Sequence, residues 1–302
     1  MINITKNYDE ANFVTHSGKF HADEVFSTIL LEKIYGNINL IRLSEIEGYS
    51  VEEKIVYDIG GGKFDHHQQG GNGQRANGIK YAAFGLLWQE YGIRLLNNLN
   101  VEDIEECYNI LDKNFVQFID AVDNGQVQFE KIDIKVVSVS DVIEGLNPNW
   151  DENIDSDIKF YEALDIARKI FDNKIQSAIS KAKAKKFVDE AIEKSKDGIM
   201  ILDKYMPYQE FVLESKNEKA KEILYAVFPS NRGGYNVRAI SKELGSFECR
   251  KKLPKEWAGL RNESLQDVTG VETASFCHNA LFICVAQNLD DALKLAKIAV
   301  KS

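Results

Sequence analysis

The chain has 302 residues, of which 44% are hydrophobic, and its formal net charge is −10 at pH 7. The longest apolar run, residues 280–286, is far shorter than the roughly 20 residues that a membrane-spanning helix needs. The acidic balance argues against broad binding to duplex nucleic acid, for which a basic face supplies the affinity. The length exceeds one average domain, so we expect two.

The N-terminus and the cysteines bear on cellular location. The first ten residues contain no basic stretch followed by an apolar core, which argues against a secretory signal. No C-x-x-C pair occurs, so neither a zinc knuckle nor a redox motif is indicated. We therefore expect a cytoplasmic enzyme whose four cysteines are reduced and buried.

The first half alternates between short apolar runs and segments with helical spacing of apolar residues. A Gly- and Asn-rich loop interrupts it at residues 70–78. We predict strands at 12–15 and 54–58, and helices at 25–34, 80–91 and 101–122.

The second half begins with a long helix predicted over residues 157–195, which contain neither Pro nor Gly. Short β-rich runs follow, at 199–202, 223–228, 235–240, 274–276 and 281–286, before a final helix from residue 290. This order predicts an α/β protein. We expect a catalytic α/β domain at 1–155, a connecting helix at 156–196 and a smaller C-terminal α/β domain at 197–302.

Four of the five histidines form two short clusters, His16 with His21 and His66 with His67. Aspartates accompany both clusters, and each cluster follows a predicted strand. Loops at the carboxyl ends of strands are where open α/β sheets usually bind ligands. Imidazole and carboxylate together suit manganese, iron or zinc, and two such ions can share bridging carboxylates. A lone histidine is more often structural, but paired clusters predict a metal centre.

These motifs resemble the DHH-type phosphoesterase superfamily, and more closely its melanocyte-proliferating-gene (Myg) branch of nuclease-like proteins. The resemblance lies in THSGKFHADE (15–24), VYDIGG (56–61), DHHQ (65–68) and FIDAVDNG (118–125). WAGLRNE (257–263) and FCH (276–278) extend it into the C-terminal half. The Asp-His-His sequence alone is a weak signal, but these motifs in this order are specific and span nearly the whole chain.

The resemblance implies two divalent ions, often Mn²⁺, and a DHH-like parallel sheet in the catalytic domain. The first DHH motif usually has His, then Asp four residues later and Asp six residues later. Here the corresponding positions have one extra residue and a histidine in place of the first aspartate. A site richer in histidine favours manganese, iron or zinc over magnesium, which prefers oxygen ligands. The ligands implied are His16, His21, Asp23, Asp58 as a bridge, His66, and either Asp123 or Asp120, with Asp123 preferred.

The resemblance also implies two residues that act on the reaction. His67 would face the substrate phosphate and protonate the leaving oxygen. Asp65 would lie behind it and orient a neighbouring imidazole. The nucleophile would be a water molecule activated between the two ions.

Substrate contacts are expected mainly in the second half. Residues 232–261 contain eight Lys or Arg against three Glu, which suits an anionic substrate as well as it suits a solvated surface. Guanidinium groups match phosphate oxygens in pairs, and the resemblance marks His278 as a contact across the cleft. Lys80, at the start of a predicted helix, could add charge to an anion-binding helix N-terminus. The substrate-binding candidates are Arg232, Arg238, Arg250, Arg261, His278 and Lys80, and each is also compatible with an ordinary surface or packing role.

The leading functional hypothesis is a manganese-dependent 3′–5′ exonuclease acting on single-stranded RNA or DNA, with the substrate and polarity implied by the resemblance. The alternative enzyme is a phosphatase for pyrophosphate, short oligonucleotides or nucleotide phosphates. A third reading is a non-catalytic metal-binding protein. No membrane partner is expected, and a homo-oligomer is left open.

Overall fold

The computed structural model describes residues 1–127 and 136–302. The chain divides into two compact units, Met1–Ser180 and Lys181–Ser302. The mixture of helices with parallel and antiparallel strands confirms the predicted α/β class.

The first unit contains a four-stranded sheet in which every pairing is parallel. Its strands are β1 (Ile2–Ile4), β2 (Phe13–His16), β3 (Ile38–Leu43) and β4 (Ile55–Val56). Their order across the sheet is β1-β3-β2-β4, so β2 and β4 are neighbours. Parallel neighbours end at the same edge, which brings together the segments that follow His16 and Val56.

Six helices accompany this sheet: α1 (Ala22–Tyr35), α2 (Ala83–Asn98), α3 (Ile104–Leu111), α4 (Gln117–Asp123), α5 (Val139–Glu144) and α6 (Ser156–Lys194). A π-helical turn at Asp112–Val116 joins α3 to α4. The 39-residue helix α6 begins in the first unit and ends in the second.

An aromatic cluster fixes α1 within the first unit. The rings of Phe26, Phe84, Phe115, Phe171 and Trp88 lie with neighbouring centroids 5.0 to 6.4 Å apart. All five side chains are buried, and truncating one such ring to alanine typically costs about 3–5 kcal/mol. The position of α1 matters because its N-terminus carries candidate ligands.

The second unit is built on a five-stranded sheet with the order β5-β6-β7-β9-β8. The pairing of β5 with β6 is parallel, and the other pairings are antiparallel. The strands are β5 (Ile199–Ile201), β6 (Tyr225–Pro229), β7 (Tyr235–Ala239), β8 (Ala274–Cys277) and β9 (Ile283–Ala286). The helices are α7 (Gln209–Glu214), α8 (Glu218–Glu222), α9 (Asn262–Thr269) and α10 (Leu289–Lys301).

Most predicted elements are present, with two corrections in the first unit. The helix predicted from Lys80 begins at Ala83, and the helical stretch 101–122 is two helices separated by the π-helical turn. Strands β1 and β3 and the short helices α5, α7, α8 and α9 were not predicted. Within residues 1–127 and 136–302, none of the helices combines the length and apolar composition that crossing a bilayer requires.

Candidate metal centre

The first group of candidate ligands lies between β2 and α1. His16 is the last residue of β2, and His21 is the residue immediately before α1. Asp23 and Glu24 are buried in the first turn of α1. Both carboxylate oxygens of Glu24 accept from the backbone N–H of His21 at 2.9 Å. The helix dipole favours negative charge here, so the start of α1 holds imidazoles and carboxylates in one short segment.

The side chain of Arg42, on β3, holds the loop between the two histidines. Its guanidinium donates to the carbonyl oxygens of His16, at 3.2 Å, and Gly18, at 2.9 Å. It also pairs with Asp157 at 2.8 Å. Gly18 has a φ of +80°, which a residue with a Cβ rarely adopts. This loop contains the extra residue of the first motif, and Arg42 stabilises its path.

The second group of candidate ligands follows β4. Asp58 has a φ of +58°, an uncommon conformation for a non-glycine residue. The Asp65 carboxylate accepts from the backbone N–H groups of Gly61, at 2.6 Å, and His67, at 2.9 Å. This turn places the rings of His66 and His67 side by side, with centroids 4.1 Å apart.

The two groups meet at Asp58. One of its oxygens lies 3.2 Å from Nε2 of His16, and the other lies 3.4 Å from Nδ1 of both His66 and His67. Nε2 of His66 lies 2.8 Å from Asp123 at the end of α4. Ligand atoms within 4.8 Å of one another form four overlapping groups, drawn from His16, His21, Asp23, Glu24, Asp58, Asp65, His66, His67 and Asp123.

The chemistry of this cluster fits bound cations. All four carboxylate oxygens of Asp23 and Asp58 are buried, and none has a hydrogen-bond partner of good geometry among the described residues. Burial, together with the charges of Asp58, Asp123 and Glu24, raises the pKa of Asp23 well above its usual range. Burial also raises the pKa of Asp58, by more than His16 lowers it. Buried carboxylates without donors are costly unless a positive charge neutralises them.

The pKa of His16 also indicates that the cluster favours a positive charge. Burial lowers its pKa, but the facing carboxylates of Asp58 and Glu24 outweigh burial and raise the pKa to about 10. Its Nδ1 lies 3.1 Å from the carbonyl oxygen of Ser17, which leaves Nε2 facing the carboxylates. A metal ion at that point would replace the proton on Nε2 and keep the same neighbours.

The two candidate aspartates of α4 have different surroundings. Asp123 contacts His66 and belongs with His21 and Asp23 in one of the ligand groups. Asp120 instead pairs with Arg75 at 2.7 Å and accepts from the backbone N–H of Gly85 at 2.9 Å. The structure therefore places Asp123 in the cluster and Asp120 against Arg75, outside every ligand group among the described residues.

Asp65 and His67 form a hydrogen-bonded pair at the exposed edge of the cluster. The Asp65 oxygen lies 2.9 Å from Nδ1 of His67, whose side chain is 56% exposed. Burial raises the pKa of Asp65, but hydrogen bonds from His67 and Gly61 outweigh it and lower the pKa to about 2. The same hydrogen bond raises the pKa of His67. His67 is thus held in a fixed orientation and favours its protonated form.

Glu24 belongs to the cluster and was not predicted from the sequence. Its oxygen lies 2.9 Å from Nε2 of His16, and it occurs in two of the ligand groups. The pattern His-x-x-Glu at the start of a helix resembles a capping box, in which the glutamate accepts from the N-cap backbone. That pattern could have placed Glu24 beside His21, although it could not have shown its contact with His16.

An open cavity of about 430 Å³ adjoins the cluster in the first unit. His16, His21, Asp58 and His67 line it, together with the exposed Lys19. A substrate entering this cavity meets imidazoles from both histidine clusters and the cationic side chain of Lys19.

The second unit contains an open cavity of about 600 Å³ that three of the predicted arginines line, Arg232, Arg238 and Arg261. The Arg238 guanidinium lies 5.8 Å from the ring centroid of Phe282, and that of Arg261 lies 4.7 Å from that of Phe276. Such contacts hold a guanidinium against an aromatic face. The cavity therefore presents cationic and aromatic groups together.

The remaining predicted substrate residues have local partners. Arg250 donates to the backbone carbonyl oxygens of Ala220 and Ile223, so it caps the end of α8 instead of lining the cavity. Nδ1 of His278 accepts from the backbone N–H of Ala280 at 3.0 Å. Lys80 does not begin a helix as predicted, since it lies three residues before α2, where its side chain is exposed.

Comparison with known proteins identifies the family. A model of the MYG1 exonuclease family (UPF0160), described as an uncharacterised protein family, matches residues 12–300. The chain belongs to the MYG1 family. This membership confirms the resemblance to the Myg branch drawn from the sequence motifs.

Relatives from distant eukaryotes cover almost the whole chain. A MYG1 protein of Dictyostelium discoideum is 30% identical over 93% of this chain and 94% of its own length. A MYG1 protein of Saccharomyces cerevisiae is 29% identical over 95% of this chain and 94% of its own length. The human relative, named MYG1 exonuclease, is 27% identical over 94% of this chain and 84% of its own length. That name classes the MYG1 family among hydrolases of the nuclease type. No solved structure matches the chain at a significant level.

Proposed function

We propose that this protein is a metal-dependent phosphoester hydrolase of the nuclease type, related to the DHH phosphoesterases, and that it removes nucleotides from the 3′ end of single-stranded RNA or DNA. The observation that carries the proposal is the buried cluster around Asp58, where carboxylates that lack hydrogen bonds of good geometry face imidazole nitrogens at 3.2 to 3.4 Å. The name of the human relative supports the nuclease class.

The ligand set proposed is His16, His21, Asp23, Asp58, His66 and Asp123, with Glu24 as an additional carboxylate. Asp58 lies between imidazoles of both groups, so it is the residue best placed to bridge two ions. The mixture of imidazole and carboxylate ligands favours Mn²⁺, with iron or zinc as alternatives and magnesium less suited. When bound, the ions would supply a nucleophilic water at neutral pH and neutralise charge on the phosphoryl group.

The chain's own groups account for the proton that the leaving oxygen needs. His67 lines the cavity and is exposed enough to reach a substrate. Asp65 holds its Nδ1, which leaves Nε2 free to donate a proton. Lys19 lies in the same cavity and can pair with a second phosphate oxygen.

The second unit supplies the proposed substrate contacts. A cavity of about 600 Å³ falls within the usual range for small-molecule sites. Arg238 and Arg261 offer guanidinium groups to phosphates, and Phe276 and Phe282 offer faces to bases.

A length series of 5′-labelled single-stranded oligonucleotides, supplied with Mn²⁺, tests the proposal. We expect a ladder of 5′-labelled products shortened from the 3′ end. His67→Ala should keep its metal and lose most hydrolysis, whereas Glu162→Gln, in an exposed ion pair on α6, should match the parent. Equal turnover in His67→Ala and the parent would refute the role of His67. Release of a 5′-labelled mononucleotide as the first product would show that hydrolysis starts from the 5′ end.

The second candidate function is a phosphatase for pyrophosphate, short oligonucleotides or nucleotide phosphates. The net charge of −10 favours a short substrate over a long polyanion. Cleavage of pyrophosphate with no action on oligonucleotides of any length would establish this alternative and end the nuclease proposal.

A further inference from the structure

Trp150 is the most exposed large apolar side chain among the described residues, at 97% exposure. Leaving a large apolar side chain in water forgoes the favourable free energy of its burial. The other two tryptophans, Trp88 and Trp257, are buried. An indole held fully in solvent is typical of a binding contact, since aromatic side chains are enriched where proteins bind partners and nucleic acids.

The loop that carries Trp150 is ordered by its own hydrogen bonds. The backbone N–H of Glu152 donates to the carbonyl oxygen of Asn149 at 3.0 Å, which closes a four-residue turn. The Glu152 carboxylate accepts in return from the backbone and side-chain N–H groups of Asn149, at 2.8 and 3.1 Å. Trp150 occupies the second position of this turn, so the turn presents the indole to solvent in a fixed place.

The loop is also tied to the metal cluster. The Asn147 side chain pairs with both backbone groups of Phe20, at 2.9 and 2.8 Å. Phe20 immediately precedes His21, and three residues span at most about 11 Å. The backbone of Trp150 therefore lies near the loop that connects His16 to His21, which also carries the exposed Lys19.

We propose that Trp150 is a stacking platform for a base of the substrate strand whose scissile phosphate lies at the cluster. The inference rests on the proposed function and adds a base-binding contact in the first unit. An aromatic face can stack on any base, because every base has a π face. Asp151 and Glu152 follow Trp150 directly in the chain, and their negative charges disfavour a phosphate there, so we expect the base and not the backbone to meet the indole.

Intrinsic fluorescence tests this contact without requiring turnover. The exposed Trp150 reports separately from the buried Trp88 and Trp257. Titration with a single-stranded DNA 10-mer should quench the exposed component, and an abasic strand of equal length should quench it less.

Two variants separate the indole from its role in binding. Trp150→Phe should lack the quenching and retain most of the affinity for the strand. Trp150→Leu should raise KM for the base-containing strand about 10-fold, a factor that corresponds to roughly 1.4 kcal/mol, and leave KM for the abasic strand unchanged.

The control is Tyr35→Leu, an aromatic substitution at the far end of α1, about 20 Å from His21 by the rise of the helix. Hydrolysis of the strand without quenching of the indole would overturn the stacking role and leave the proposed function intact. An equal rise in KM for both strands in Trp150→Leu would have the same meaning. Quenching of the indole by a strand that the protein does not hydrolyse would support the stacking contact and contradict the proposed function. Unchanged binding of both strands by Trp150→Leu, together with a change in its oligomeric state, would assign the indole to a contact between copies and overturn the proposal.

Discussion

Asp23 and Asp58 place carboxylates in the protein interior without a hydrogen bond of good geometry among the described residues, although His16 lies 3.2 Å from Asp58. Such groups usually cost stability unless they are neutralised. The cluster is therefore a destabilising feature of the metal-free fold, and a bound cation would turn it into a stabilising one. This trade between stability and function is common at active sites.

The first prediction concerns Asp23→Asn. Because the pKa of Asp23 is raised in the folded state, the metal-free fold binds a proton there more tightly than the unfolded chain does. Stability of the metal-free parent should therefore decline as pH rises above about 4, the ordinary pKa of aspartic acid. The variant lacks the part of this decline that Asp23 contributes, while Asp58 still adds its own, and it should be more stable than the parent at pH 7 by roughly 1 kcal/mol.

Thermal unfolding in EDTA at pH 4 and pH 7 measures this difference. Mn²⁺ should raise the Tm of the parent and have little effect on the variant. Asp165→Asn removes an exposed carboxylate of α6 and should behave as the parent does. The same decline with pH in the parent and in Asp23→Asn would contradict the prediction.

The second prediction concerns Asp65→Asn. The hydrogen bond from Asp65 raises the pKa of His67. A protonated His67 donates to the leaving oxygen, so activity should fall as pH rises through that pKa. Removing the carboxylate charge lowers the pKa of His67, and the alkaline limb of kcat/KM should move to lower pH.

A pH profile of kcat/KM for a single-stranded oligonucleotide measures this shift. Asp165→Asn again serves as the control, with an unchanged profile expected. An alkaline limb that stays in place in Asp65→Asn would show that His67 is not the acid.

The residue scale also shows where prediction from sequence ends. The candidate ligands that follow β2 and β4 were predicted from their places after strands, and strand ends in a parallel sheet share an edge. The sequence favoured Asp123 over Asp120 only slightly, since they lie three apart on one helix. The contact of Asp123 with His66 and the pairing of Asp120 with Arg75 separate them, and both contacts join positions far apart in sequence.

At the scale of elements, the loop between β2 and α1 depends on β3. Arg42 donates to two carbonyl oxygens of that loop and to Asp157 at the start of α6. Its guanidinium also lies 4.3 Å from the ring centroid of Phe160. One side chain thus connects the sheet, the first ligand loop and the long helix.

The third prediction concerns Arg42→Met. The variant leaves two carbonyl oxygens without their donor and leaves Lys6 as the remaining cation beside Asp157, which should lower stability by about 2 kcal/mol. Substitution of a residue that orients metal ligands typically lowers metal affinity 10- to 100-fold. Mn²⁺ affinity should therefore fall by at least about 10-fold even where the variant is folded. Arg42→Lys should recover part of that affinity, because lysine can pair with Asp157 but lacks the planar fork.

Calorimetric titration with Mn²⁺ below the Tm of each variant measures the affinity. Arg94→Met, which removes an exposed arginine lying over Tyr35, is the matched control. A folded Arg42→Met with the affinity of the parent would show that Arg42 serves only the fold.

The elements themselves were predictable in proportion to their length and periodicity. Helix α6 lacks Pro and Gly, and its observed bounds, Ser156–Lys194, lie within one residue of the prediction. The strand β1 has only three residues and gave no clear pattern, whereas β3 was missed although Gly36 and Asn37 mark a turn directly before it. The π-helical turn at Asp112–Val116 begins at the residue that pairs with Arg75, a contact between distant positions that local propensity does not encode.

At the scale of the whole molecule, an acidic chain has a local excess of cationic groups in one region. Residues 232–261 hold eight Lys or Arg against three Glu, while the chain as a whole is at −10. Three arginines of this region line one cavity. Binding of a polyanion should therefore involve few phosphates and depend only moderately on salt.

The fourth prediction is the salt dependence of KM for a single-stranded oligonucleotide. Three guanidinium–phosphate contacts predict a slope of log affinity against log salt of about −2, since each contact on a single strand contributes roughly −0.7. Arg261→Gln should reduce the steepness by about 0.7. Arg250→Gln, whose parent side chain bonds to backbone carbonyl oxygens, should leave the slope unchanged. Equal changes in both variants would contradict the assignment of the cavity.

The central claim is that histidines and aspartates from separate loops jointly hold two metal ions. Its most direct test is the metal content of the purified, Mn²⁺-loaded protein, measured by elemental mass spectrometry for the parent and for Asp58→Asn. We expect two ions per chain in the parent and fewer than one in Asp58→Asn, with Glu162→Gln matching the parent. A parent that retains no metal, or an Asp58→Asn variant that retains as much as the parent, would contradict the account.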